Sequence, residues 1–189
     1  MSNKAIPVTL VTGFLESGKT TAVKKILERG FGDFSGNTIL IDCEEEGGET
    51  YDGGLLASRK VTLIDLDGPF LINADYLKSL DESLHPSQVF IEYGGMFKVS
   101  CLDGIALPEG WSIVRQLTVF DGGVFDIYLK NLKDNIADMV KYSNLILFNR
   151  CADTPGKGTE NDRIRWAALL HKMNPKAEIV FEGEDGRMI

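Results

Sequence analysis

Residues that cross-link a chain or ligate transition metals are scarce here. The 189 residues include three cysteines and two histidines. Cys43, Cys101 and Cys151 are odd in number and far apart, which argues against a disulfide framework and for reduced thiols in a cytoplasmic setting. Neither they nor His85 and His171 stand at the spacings of a structural metal site. Long apolar runs are missing too: nothing approaches the ~18 residues that a membrane span requires, so no membrane partner is expected. The N-terminal stretch MSNKAIPVTL lacks the apolar core and small-residue cleavage site of a secretory leader. Positive charge is also in deficit. A net charge of −8 and a pI of about 4.8 disfavour nucleic acid as a partner, so an anionic ligand must be held by a local positive site.

What remains is the composition of an ordinary globular chain, 43% hydrophobic and 25% charged, of a length that one domain accommodates. Seven short apolar runs read as strands: PVTLVT, NTILID, KVTLIDL, QVFIEYGG, SIVRQLTVFD, NLILFN and AEIVFE. Most are apolar on both faces, as expected of strands covered by helices on either side. Between them lie helical patterns: TTAVKKILERG with Gly30 as its stop, NADYLKSLDESL capped by Asn73, one long pattern over 123–143, and TENDRIRWAALLHKMN. The alternation predicts an α/β fold, an open, mostly parallel sheet of about seven strands in a three-layer sandwich. CEEEGGETYDGG, rich in acid and glycine, reads as a mobile loop.

The first strand runs into Gly13-Phe14-Leu15-Glu16-Ser17-Gly18-Lys19-Thr20, followed by Thr21 and a helix. This is G-x-x-x-x-G-K-[ST], in which glycines bring backbone N–H groups against phosphate and the helix adds its positive N-terminal end. Lys19 is expected to reach the β- and γ-phosphates, and the Thr20 hydroxyl to ligate Mg²⁺. The fourth strand carries Glu92 at its C-terminal end, before Gly94 and Gly95. In open α/β sheets ligands sit beyond the carboxyl ends of strands. Glu92 is therefore expected beside the phosphate loop, orienting Mg²⁺ or a hydrolytic water, with the Gly95 N–H facing the γ-phosphate. Asp42 ends the second strand, and one of the carboxylates from Asp42 to Glu46 is expected to hold Mg²⁺. Asp65, Asp67 and Asp121 read as strand-end or turn acids.

VTGFLESGKTT, IEYGGM and LFNRC together resemble the nucleotide-binding domain of CobW/HypB/UreG-type P-loop GTPases, and the CobW branch in particular. The resemblance covers nearly the whole chain. It implies slow GTP hydrolysis coupled to metal insertion or cofactor assembly, a client metalloenzyme or cofactor-assembly partner, and a nucleotide-dependent homodimer. Catalytic roles fall on Lys19 and Glu92, and metal ligation on Thr20, Asp42 and Glu92. Nucleotide contacts fall on Gly13, Glu16, Ser17, Gly18, Lys19, Thr20, Thr21, Gly95, Asn149, Arg150 and Asp153. The sequence departs from the family at three places. Glu16 stands where the CobW loop has glycine, and its carboxylate is expected to face solvent or a partner, away from phosphate. The C-x-C-C metal motif is absent from the corresponding stretch LDGPFLIN. The guanine-reading N-K-x-D becomes Asn149-Arg150-Cys151-Ala152-Asp153, which favours GTP but leaves ATP open. A single domain over 1–189 is expected, without the second domain into which CobW-type proteins often continue.

Two other readings stand beside the GTPase. A small-molecule kinase would use Arg163 and Arg165 as lid arginines, although a solvated helix face explains them more simply. A non-hydrolysing module would bind nucleotide only to change its affinity for a partner. No arginine finger stands in the loop region, which predicts slow turnover of the isolated chain.

Overall fold

The computed structural model describes residues 5–30, 32–44, 50–151 and 156–183. β1 (Ile6–Gly13), β2 (Thr38–Asp42), β3 (Val61–Asp65), β4 (Gln88–Gly94), β5 (Trp111–Asp121), β6 (Leu145–Asn149) and β7 (Glu178–Phe181) form one sheet in the order β3-β2-β4-β1-β5-β6-β7. Every pairing is parallel, so the sheet is wholly rather than mostly parallel. β1 lies at its centre, with its carboxyl end between those of β4 and β5.

Alternate strand residues build two cores. On one face Val8, Leu10, Ile39, Ile41, Val89 and Ile91 meet α3 (Ala74–Leu84), α5 (Lys133–Tyr142) and α6 (Glu160–Met173). On the other, Val11, Leu40, Phe90 and Val119 meet α1 (Lys19–Arg29) and α2 (Gly53–Ser58). This is the expected three-layer sandwich. The aromatic group Phe120, Phe125, Phe148 and Trp166, with centroids about 5 Å apart, seats α4 (Phe125–Asn131) and α6 on β5 and β6. Beside α1 an apolar groove of about 620 Å³ opens over β5–β7, lined by Ile26, Val114, Leu117, Leu145 and Val180.

Local signals explain most boundaries. Gly30 ends α1 in the left-handed conformation, with φ 71°. The Asn73 side chain accepts from the Tyr76 N–H to start α3, and Thr159 with Asp162 forms a capping box on α6. Two expectations are corrected. The single helix over 123–143 is two, because Leu132 leaves helical geometry (φ −130°, ψ 39°) between α4 and α5. The acid- and glycine-rich loop gives way at Gly53 to α2, because the Asp52 carboxylate caps the Leu55 N–H. Residues 45–49, which include Glu45 and Glu46, lie outside the described residues. No helix among the described residues is long and apolar enough to cross a membrane.

Candidate functional site

The carboxyl end of β1 delivers the loop Gly13–Gly18 to the middle of the sheet edge, and several local constraints shape it. Gly13 has φ 154°, and a Cβ there would lie 2.4 Å from the Val119 carbonyl. Gly18 precedes α1 in the left-handed region, where a Cβ would lie 2.4 Å from Asn149 Nδ2. Phe14 is buried and stacks on Tyr128 of α4 at 4.2 Å, anchoring the loop to the neighbouring layer. Leu15 and Glu16 are exposed at the tip of the loop. Thr21 is half-buried in the first turn of α1.

Lys19 and Thr20 are buried at the start of α1. The Lys19 ammonium donates to the Phe14 carbonyl at 2.8 Å and pairs with the Glu44 carboxylate. The Thr20 hydroxyl donates to Glu92 Oε1 at 2.7 Å, and the Tyr51 hydroxyl donates to Glu92 Oε2. Parallel register sets Asp42 of β2 beside Glu92 of β4, so both carboxylates stand at one sheet edge. Glu92 is fully buried. Burial first, and then the Asp42 charge, push its pKa up to about 7 against the pull of Tyr51, Thr20 and Lys19. Asp42 is also raised, chiefly by burial, while the Glu44 N–H that it accepts opposes the shift. The Cys43 thiol is buried and pushed up to about 12, by desolvation and then by Asp42 and Glu92, which disfavours the thiolate.

The other wall of the site comes from β5 and β6. Asn149 Nδ2 donates to the Ser17 carbonyl at 2.7 Å. Arg150, with φ 50°, donates from Nη1 to the Glu16 carbonyl at 2.7 Å and to Asp121 Oδ2 at 2.8 Å. Asp121, read from sequence as a strand-end acid, thus orients the arginine. Asp153 lies outside the described residues.

The predicted residues Gly13, Ser17, Gly18, Lys19, Thr20, Asp42, Glu92, Asn149 and Arg150 therefore converge on one edge. Gly95 joins them in a role that differs from expectation: its N–H donates to the Gly13 carbonyl at 2.8 Å instead of standing free for phosphate. A Cβ at Gly95 would lie 2.7 Å from that same carbonyl oxygen, so the close approach requires glycine. Glu44 and Tyr51 were not singled out individually by the sequence, yet they touch Lys19 and Glu92. Arg165 is committed to Asp126 and Asp162, and Arg163 to the Gly158 carbonyl, as a helix face requires and a phosphate lid does not.

Besides Glu44 Oε1, which the Lys19 ammonium faces, the buried Ser17 Oγ and Asn149 Oδ1 have no hydrogen-bond partner among the described residues. Buried polar atoms are nearly always satisfied, so a polar ligand fits here. Thr20, Asp42 and Glu92 offer oxygen atoms alone, a donor set that suits Mg²⁺ and not a thiophilic metal. Among the described residues no cluster of three or more histidine, cysteine, aspartate or glutamate side chains could hold a metal ion.

The family profile of the CobW/HypB/UreG nucleotide-binding domain matches residues 7–181. Comparison with curated proteins found no significant match. Among solved structures the chain is similar to the hydrogenase maturation factor HypB of Archaeoglobus fulgidus, at 15% identity and TM-score 0.61, covering 95% of this chain and 81% of that one. It is similar to the Zn(II)-bound YjiA GTPase of E. coli, at 21% identity and TM-score 0.60, covering 93% of this chain. It spans only 57% of the YjiA chain. FlhF complexed with GMPPNP and Mg²⁺ aligns over 98% of this chain and 70% of its own, at 11% identity and TM-score 0.55. At these identities the likeness is one of fold.

Proposed function

The chain belongs to the CobW/HypB/UreG nucleotide-binding domain family, and from that premise we propose that it is a Mg²⁺-dependent GTPase acting as a slow switch. The observation that carries this reading is the Thr20–Glu92 hydrogen bond with Asp42 in register beside it, all oxygen donors, at the mouth of the phosphate loop. Thr20, Asp42 and Glu92 would hold Mg²⁺, which when bound supplies positive charge to the phosphate oxygens. The Lys19 ammonium binds the phosphates once Glu44 gives way. Glu92, held by the Thr20 and Tyr51 hydroxyls, orients the attacking water. Loop N–H groups and the start of α1 stabilise the charge that spreads over the transferring phosphoryl group. Asn149 and Arg150 brace the loop where the base would lie, and Asp153 is proposed to read guanine. Family membership supports GTP over ATP. HypB is a hydrogenase maturation factor, which supports a client in metalloenzyme or cofactor assembly. The exposed Leu15, Phe70 and Met96 offer such a client, or a second copy of the chain, an apolar footing.

Competition of GTP and ATP for the purified protein with Mg²⁺, followed by phosphate release without an acceptor, tests the reading. GTP should bind more tightly, and release should be lost in Lys19→Ala. Tighter ATP binding would sink the GTPase assignment. Release only with an added acceptor would indicate a kinase, and binding with no release a non-hydrolysing module.

A further inference from the structure

We infer that Tyr51 is a positioning residue for Glu92 in phosphoryl-bond hydrolysis, an inference that rests on the function proposed above. The terminal torsion of a glutamate is broad and soft, so a buried carboxylate needs partners on both oxygens to hold one plane. Glu92 has them: Thr20 on Oε1 at 2.7 Å and Tyr51 on Oε2. Asp42 stands beside Glu92 across the β2–β4 pairing, and repulsion between the two charges would turn an unheld carboxylate away. Thr20 has a second demand on its oxygen, the metal assigned to it. The Tyr51 hydroxyl has no other hydrogen-bond partner among the described residues, so it remains as the fixed donor.

Tyr51 is itself held. Its ring packs against the core that α1 and α2 share with the sheet. The Lys24 ammonium lies 5.9 Å from the ring centroid. The next residue, Asp52, caps α2. The hydroxyl therefore comes from a platform fixed on two helices. A phenol has only two side-chain torsions to freeze, so the placement costs little entropy. Precise placement of a group that orients water is where small displacements cost most rate.

Single-turnover hydrolysis of GTP·Mg²⁺ by the wild type, Tyr51→Phe, Glu92→Gln and the double variant tests the inference. Tyr51→Phe keeps the ring and removes only the hydroxyl. Its rate should fall about tenfold, the worth of one hydrogen bond to a charged group, while nucleotide Kd stays within about twofold. In the Glu92→Gln background the same change should slow hydrolysis by less than about twofold. Leu55→Ala, which loosens the same core without reaching Glu92, should lower the melting temperature without the tenfold loss of rate. Equal losses in both backgrounds, an unchanged rate in Tyr51→Phe, or the same loss in Leu55→Ala would overturn the role. A wild type that releases no phosphate would instead sink the hydrolase reading and Tyr51's role with it.

Discussion

The two walls of the site use their polar residues in opposite ways. At the phosphate wall, Lys19, Glu44, Thr20, Tyr51 and Glu92 contact one another largely through side chains. At the base wall, Asn149 and Arg150 reach back to the backbone carbonyls of Ser17 and Glu16. A side-chain pair can be exchanged for a ligand without moving the fold. A side chain that supports a loop carbonyl cannot leave without loosening the loop. The contrast assigns ligand exchange to Lys19, Glu44, Thr20 and Glu92 at the first wall, where Tyr51 stays as the fixed donor, and framework to the second.

The largest effect is expected where that exchange is most costly to the empty protein. The folded state holds the Glu92 proton more tightly than the unfolded chain, so the contribution of Glu92 to metal-free stability is greatest below the ordinary carboxyl range. It falls as pH rises from 4.5 to about 7, and the full cost of burying the charge is reached above that. The difference corresponds to at most about 3 kcal/mol. In chelator at pH 8, Glu92→Gln should therefore be more stable than the wild type by up to that amount, and denaturant titrations across pH should show a flatter profile. A variant less stable at pH 8 would place Glu92 with the framework and break the comparison.

Asn149→Ala should do the reverse. Losing the donor to a loop carbonyl should cost about 1–2 kcal/mol of stability in the nucleotide-free protein, read by denaturant melts. Unchanged stability would mean that the base wall is not framework.

Glu44→Gln sharpens the contrast with the smallest change. Its carboxylate holds the ammonium that phosphate needs, so neutralising it should tighten Mg²⁺·nucleotide binding, by about tenfold in Kd for a buried pair. Weaker binding in calorimetry would make Glu44 a ligand contact and not a competitor.

The legible part of the site was the part written contiguously. Gly13 to Thr20 occupy one turn of chain, and the positive φ at Gly13 and Gly18 is a local demand, although the Val119 carbonyl and Asn149 Nδ2 that also exclude a Cβ there come from distant strands. Glu92 was readable because an apolar strand must end somewhere, and in a parallel sheet its carboxyl end faces the ligand edge. The seven strands announced themselves as apolar runs between helical patterns. Tyr51 did not, because its partner lies 41 residues away and nothing in an acid- and glycine-rich stretch marks one tyrosine as inward. Glu44 was one of three consecutive glutamates, and nothing in the sequence distinguishes them. The break at Leu132 had no proline or glycine to signal it. Asp121 looked like any strand-end acid until β6 brought Arg150 beside it.

The hydrogen bond from Gly95 to the Gly13 carbonyl joins the turn after β4 to the loop after β1 at a single atom pair. Beyond Gly95 the chain continues through the exposed Met96 to Phe97. If nucleotide favours the broken form of this bond, its occupancy is reported at that apolar turn. Thermodynamic reciprocity then fixes the converse: a macromolecule that grips Met96 and Phe97 in the released position must change nucleotide affinity by the same factor by which nucleotide changes its own. Recognition of that macromolecule and retention of the nucleotide would then be one equilibrium read at two places.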